Sequence, residues 1–292
     1  MSDTPANLRR KITGAADLES VVRTMKAMAA SNIGQYENAV SSLNDYYRTV
    51  QLGLMACFQR QATADQGVVQ KKNEGIGVIV FGSDQGLVGQ FNDVLVEFVI
   101  DELGKLPGDK RVWAVGERIQ SRLADSDLSL GQSFVLPSSI TAITPLVGQI
   151  LLEMQTRREQ GEISQVYLFH NRPQPGAIYA PVSQRLLPLD EQWRRNLAAK
   201  HWPSKNRPEV INGTDQTLPA LIREYLFVSL FRACAESLAS ENASRLAAMQ
   251  RAEKNIGELL EDLNRDFHRL RQSAIDEELF DVISGFEALS KS

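Results

Sequence analysis

Apolar residues recur along the first sixty positions in steps of three and four: Leu8, Ile12, Ala15, Leu18, Val22, Met25, Ala29, Ile33, Tyr36, Val40, Leu43, Tyr47, Val50, Leu54 and Cys57. The mean step is 3.5 residues, the period of a helix that supercoils around a partner rather than the 3.6 of a straight one. No proline interrupts the stretch, and Thr4 or Asn7 stands where a helix cap is needed. Gly14, Gly34 and Gly53 each oppose helix by roughly 1 kcal/mol relative to alanine, which does not change the expectation. A second stripe with the same 3.5-residue step starts at Leu218 and runs through Leu221, Tyr225, Val228, Phe231, Ala235, Leu238, Asn242, Leu246, Met249, Ala252, Ile256, Leu259, Leu263, Phe267 and Leu270 to Ala274. Asn242 is its polar member, and one polar seam residue fixes register at some cost in stability.

Between the stripes the period changes. "IGVIVF" (76–81), "RVWAVG" (111–116), "SQVYLFH" (164–170) and "YAPVSQRLLPL" (179–189) read as strands. "FNDVLVEFVIDELGKL", "ERIQSRLA" and "TPLVGQILLEMQTRREQ" read as helices between them. Strands alternating with helices predict βαβ units and a mainly parallel sheet. Polar connectors at 60–75 and 201–215 flank this middle part.

An amphipathic helix left alone in water buries none of its stripe, so each end of the chain needs a partner helix. The other end supplies it, and because both ends flank a compact middle, antiparallel pairing is the simplest arrangement. At 1.5 Å per residue the N-terminal helix (7–58) is about 78 Å long and the C-terminal stripe about 85 Å, which predicts a rod protruding from a globule. The expected organisation is α/β: an N-terminal coiled-coil helix over 1–60, an α/β domain over 75–205 and a C-terminal coiled-coil helix over 210–292.

Composition adds exclusions. The 292 residues carry a net charge of −4, so no overall field favours nucleic acid or an anionic membrane. No run of eighteen apolar residues predicts a membrane span, and the first residues, "MSDTPANLRRK", lack the apolar core of a secretory signal. Cys57 and Cys234 stand isolated, without CxxC spacing or a histidine pair. That argues against zinc and fits a reducing compartment. His170, His201 and His268 are scattered, and no GxSxG, HExxH or paired-carboxylate pattern points to catalysis.

The segment "GVIVFGSDQGLVGQFN" (77–92) is the candidate ligand loop, since glycines between a strand and a helix often cradle phosphate. It has neither the P-loop lysine nor GxGxxG spacing, and Asp84 would repel a phosphate. The competing reading is structural: glycines for tight turns and close packing, with Ser83 or Asp84 capping backbone donors. Two classes stay open at this point, a coiled-coil scaffold and a nucleotide-dependent enzyme using the loop from Gly82 to Gly89.

Four segments, in order, carry a family resemblance. "LRRKITGAADLESVVRTMKAMAAS" (8–31), "SDQGLVGQFN" (83–92), "ASENASRLAAMQRAEKNIGELLEDL" (239–263) and "RQSAIDEELFDVISGFEA" (271–288) resemble the gamma subunits of F-type ATP synthases, the central-stalk rotors. Arg9, Ile12, Met25, Met28, Ala29, Ala30 and Ser31 match the opening helix, and Val88 stands where cysteine is common in the loop. Departures are Asn32 for a usual lysine, Asp276 for a usual threonine, and Phe286 after Gly285 where alanine is usual.

The resemblance implies a Rossmann-like α/β domain and a shaft of two helices inside a ring of three alpha and three beta subunits. Further partners are the epsilon subunit and the membrane c-ring, through which the protein is peripheral to the membrane. Proton or sodium flow turns the shaft, and the nucleotide chemistry belongs to neighbouring subunits, so no cofactor, metal or catalytic residue is expected in this chain. The departures suggest a divergent branch, and the absence of the chloroplast form's regulatory cysteine insertion, taken with the lack of a transit peptide, favours a bacterial origin and the cytoplasmic side of the inner membrane. Residues matched to partner contacts are Arg9, Lys11, Arg23, Met25, Lys26, Arg245, Arg271, Gln272, Asp276, Ile283 and Phe286. For the basic residues a solvated helix face is the alternative, for Met25 packing within the shaft, and for the last turns fraying. Ser83, Asp84, Gly86, Gly89 and Asn92 are matched to a structural loop that holds no ligand.

Overall fold

The computed structural model describes residues 4–61, 75–189, 191–199, 201–206, 208–211 and 213–290; most of the connector expected at 60–75 lies outside them. The chain runs α1 (Pro5–Gln61), β1 (Gly75–Phe81), α2 (Phe91–Gly104), β2 (Lys110–Val115), α3 (Glu117–Ala124), β3 (Ser129–Leu130), α4 (Ile140–Glu159), β4 (Ile163–Gln174), β5 (Ala177–Leu187), α5 (Glu191–Ala198) and α6 (Thr214–Ser290). It divides into two compact units, Met1–Ala29 with Leu246–Ser292 and Ala30–Arg245. Both long helices contribute to each unit.

In the larger unit the sheet order is β3-β2-β1-β4-β5. The first four strands are mutually parallel, and β5 is antiparallel to β4. The link from β4 to β5 turns at Gly176 (φ +83°) and is far too short for a parallel crossover, so antiparallel pairing follows. Neither β3 nor α5 stands among the elements expected from sequence. β3 is two residues long, and the apolar spacing of α5 spans barely two turns.

Period-2 alternation in β1 sorts the core into two layers. Ile76, Val78 and Val80 pack with Leu95, Val99 and Leu103 of α2 and with Ile119 and Leu123 of α3. Ile79 and Phe81 face the opposite way, against Ile143, Val147 and Ile150 of α4, Leu54 and Met55 of α1, and Leu230, Cys234 and Leu238 of α6. The sheet is thus covered on both faces, as a largely parallel sheet requires. Within this unit Asn32 donates to Asn242 at 3.3 Å and Tyr46 to Glu224 at 2.6 Å, so the helices run antiparallel.

The smaller unit is a helix pair. Thr4 Oγ1 accepts the Asn7 N–H, which settles the capping residue as Thr4. Val22, Met249 and Ile256 form its buried centre, flanked by Met25, Ala248, Ala252 and Leu260. Along α1 the buried seam is Leu8, Ala15, Val22, Ala29 and Tyr36, every seventh residue, and it resumes at Val50 and Cys57. That is one heptad position of the 3.5-residue stripe. The other position is covered less well: Leu18 is 52% exposed, because a single partner helix covers only a narrow stripe.

Candidate functional site: a filled crevice and an exposed helix end

In open α/β sheets ligands bind beyond the carboxyl ends of the strands, where strand order reverses. Here the reversal lies between β1 and β4, where Phe81 pairs with His170. Helix α6 occupies the place. Ser237 Oγ donates to the Phe81 carbonyl and Ser240 Oγ to the Asn171 carbonyl, both at 3.1 Å, and Ser244 Oγ donates to the Val88 carbonyl at 2.6 Å. Every residue from Ala233 to Asn242 is buried, and the alanines and serines of "ACAESLASEN" let the helix approach the strand ends closely.

The glycine loop is tied up in the same way. Ser83 N–H donates to Asn92 Oδ1 at 3.1 Å, and Asn92 Nδ2 returns a bond to Ser83 Oγ at 2.8 Å. Asp84 Oδ1 accepts the Glu117 N–H at 2.9 Å, and the Ser83 carbonyl accepts Arg118 and Ile119 N–H. The free donors at the start of α3 are therefore satisfied internally. Gly82 is required by packing, since a Cβ there would lie 2.1 Å from Ile119 Cβ. Gly89 takes φ +58°. Gly86 faces open space, and the other left-handed position in the loop is Leu87, at φ +61°.

A buried ionic cluster sits beside the crevice. Glu236 accepts from His170 Nε2 at 2.8 Å, Arg172 Nε at 2.7 Å and Arg232 Nε at 2.8 Å. Burial alone would raise the Glu236 carboxyl, but bonds from His170, Arg232 and Arg172 hold it at about 2. Burial pushes the His170 pKa below its ordinary value, so the ring is neutral and donates from Nε2. One turn on, Arg245 bonds Glu241 at 2.5 Å. Burial still raises the Glu241 carboxyl above its usual range, against the pull of Arg245. Sequence reading missed Glu236 and His170 as a pair, because they lie 66 residues apart; two glutamates inside an otherwise apolar helical run were the available signal.

The residues matched to partner contacts fall into three groups. Lys26 bonds Glu253 at 2.6 Å, Arg23 bonds Glu19 at 2.8 Å and approaches Glu253 at 3.6 Å, and Met25 packs against the Val22–Met249–Ile256 centre. These serve the helix pair itself. Arg245 is spent on Glu241. Arg9, Lys11, Arg271, Gln272, Asp276, Ile283 and Phe286 are exposed. So are Ile275, Leu279, Phe280 and Val282, and every residue from Arg271 to Ile283. Phe286 is 73% exposed. The first turns of α1 line a groove with Phe267, and beyond Leu270 the large apolar side chains described on α6 are all exposed.

A protein-family model described as ATP synthase matches residues 4–289. The chain belongs to that family. Its curated relatives are gamma chains: the ATP synthase gamma chain of Desulfitobacterium hafniense is 25% identical over 303 residues, spanning 97% of this chain and 98% of the relative. That of Pasteurella multocida is 26% identical over 289 residues, with the same coverage. The fold resembles a chain of the Euglena gracilis mitochondrial ATP synthase rotor, with TM-score 0.62, 16% identity and coverage of 93% of this chain and 98% of that one. A chain of the Tetrahymena thermophila central stalk and c-ring gives TM-score 0.58 at 23% identity, covering 80% and 99%.

Proposed function

We propose that this chain is the rotor of an F-type ATP synthase, coupling transmembrane proton or sodium flow to ATP synthesis or hydrolysis by turning inside an alpha–beta hexamer. One copy serves three alpha and three beta subunits, and the epsilon subunit and c-ring complete its contacts. Its place is the cytoplasmic side of a bacterial inner membrane, held there by the c-ring; no helix among the described residues is long and apolar enough to cross a membrane. The chain does no chemistry itself.

The observation that carries this reading is the naked apolar end of α6. Ile275, Leu279, Phe280, Val282, Ile283 and Phe286 are large and exposed, a concentration that marks an interaction surface. Within a gamma family, an apolar sleeve of the hexamer is the surface that would receive it. Arg271, Gln272 and Asp276 then meet the ring just below the tip, and Arg9 and Lys11 offer positive charge to acidic beta-subunit surface. Arg23, Met25, Lys26 and Arg245 act at one remove, by stiffening the shaft.

The nucleotide-enzyme alternative is disfavoured by the filled crevice. A phosphate in the loop would displace Asp84 from the start of α3 and meet its negative charge. The scaffold alternative predicts self-association. Co-purification with alpha and beta subunits followed by quantitative mass spectrometry separates them: one copy per three beta subunits supports the rotor, and homo-oligomers without beta refute it.

A further inference from the structure

Half of the residues from Ala233 to Asn242 are polar, although every one of them is buried. Stability alone does not explain the choice. A hydrogen bond adds little net over its hydrated equivalent, and a buried ion pair is often no more stabilising than apolar packing of the same volume. What the polar groups add is direction. Apolar burial is non-directional and follows area, so it sets no angle of its own. A hydrogen bond weakens steeply once its angle falls below about 120°, and it resists displacement of either partner.

The polar groups of α6 share one face and grip separate parts of the sheet. Ser237, Ser240 and Ser244 follow one another in steps of three and four, the spacing of a single helix face, over about 10 Å of helix. Their acceptors are the Phe81 carbonyl at the end of β1, the Asn171 carbonyl in β4 and the Val88 carbonyl in the glycine loop. Glu236, beside them, takes bonds from His170 and Arg172 of β4, and Arg232, one turn back on α6, holds its other oxygen. Asn32 and Tyr46 of α1 bond α6 in turn, at Asn242 and Glu224. Covalently α6 joins β5 through residues 188–213, at its own first turn, about 35 Å along the helix from Ser237. Load on α6 around Ser237 therefore reaches the strand ends through side chains rather than along the chain.

We infer that Ser237, Ser240, Ser244 and Glu236 form a mechanical clamp through which α6 passes torque to the sheet. The torque rests on the rotor reading; the clamp does not, because every residue in it lies in the Ala30–Arg245 unit.

Pulling single molecules of the full-length chain at constant force tests it. Handles are attached through Glu97→Cys on α2 and Gln250→Cys, the first exposed position of α6 beyond Ser244. Cys57 and Cys234 are buried and take no label. In the control pair, Glu97→Cys with Arg158→Cys on α4, the load bypasses α6. With Ser237→Ala, Ser240→Ala and Ser244→Ala combined, the rupture rate through Gln250→Cys should rise at least about tenfold, and through Arg158→Cys no more than about threefold. Glu236→Gln keeps the side chain's shape, removes its charge and should show the same contrast; it replaces the triple variant if that chain fails to fold. Equal increases through the two pairs would mean that these residues only stabilise the fold. An unchanged rate through Gln250→Cys would mean that packing carries the load. Either result overturns the clamp. The alpha–beta ring takes no part in these measurements, so failure of the chain to assemble with one would refute the rotor reading and leave the clamp standing.

Discussion

Ser237, on the C-terminal helix, donates its hydroxyl to the carbonyl of Phe81, the last residue of the central strand, across 156 positions of sequence. The bond stands where a doubly wound sheet would otherwise open its ligand crevice. With Ser240 and Ser244 on neighbouring carbonyls, it turns a binding fold into a mount for a helix.

Ser237→Ala should therefore weaken the larger unit without creating a nucleotide site. Loss of a buried hydrogen bond costs about 1 kcal/mol, readable as a lower denaturant midpoint. Titration with ADP or NAD should stay flat in the variant.

The glycine loop should respond to substitution one position at a time. Gly82→Ala drives a Cβ into Ile119, and overpacking on that scale should cost about 3 kcal/mol. Gly86→Ala meets open space and should move the unfolding free energy by no more than about 0.5 kcal/mol. Equal effects at the two positions would contradict this division of roles.

How much of this was legible in sequence depends on the range of the interaction. The heptad seam from Leu8 to Cys57 and the alternation in β1 are local periodicities, so both helices and the sheet could be read directly. Leu18 and Leu259 satisfy the same period yet are exposed, because period does not say how wide a stripe the partner covers. The loop glycines were visible, but Leu87, rather than Gly86, takes the left-handed turn; composition ranks residues by tolerance and tertiary contacts decide. The His170–Glu236 pair depends on a strand and a helix meeting in space, and nothing in the spacing of either announces it.

Stability should fall in acid in two stages. His170 has a folded pKa below 6.5, so the unfolded chain takes up its proton first and stability declines as pH drops below 6.5. Glu236 is held at about 2 against an ordinary 4.5. Its contribution is complete above 4.5 and is lost as pH falls towards 2, on the order of 3 kcal/mol in all. Glu241, raised by burial, acts in the opposite sense above pH 4.5 and so blunts the first stage. In Glu236→Gln the decline below pH 4.5 should be shallower than in the wild type when chemical denaturation is followed across pH 3–8. An identical acid limb would refute the assignment.

Ending the chain after Val282 should leave the isolated protein as stable as before, since Ile283 and Phe286, the described side chains it removes, are both exposed. Association with an alpha–beta ring should weaken at least tenfold, measured by co-purification against full-length chain. A lowered unfolding temperature together with intact association would mean the tip packs inward instead.

Rotation tests the central claim most directly. A bead attached to an exposed position of the larger unit, in an immobilised alpha–beta complex reconstituted with this chain, should turn continuously in one direction when ATP is added. A complex that hydrolyses ATP at an undiminished rate while the bead stays still would contradict the assignment of this chain as the shaft.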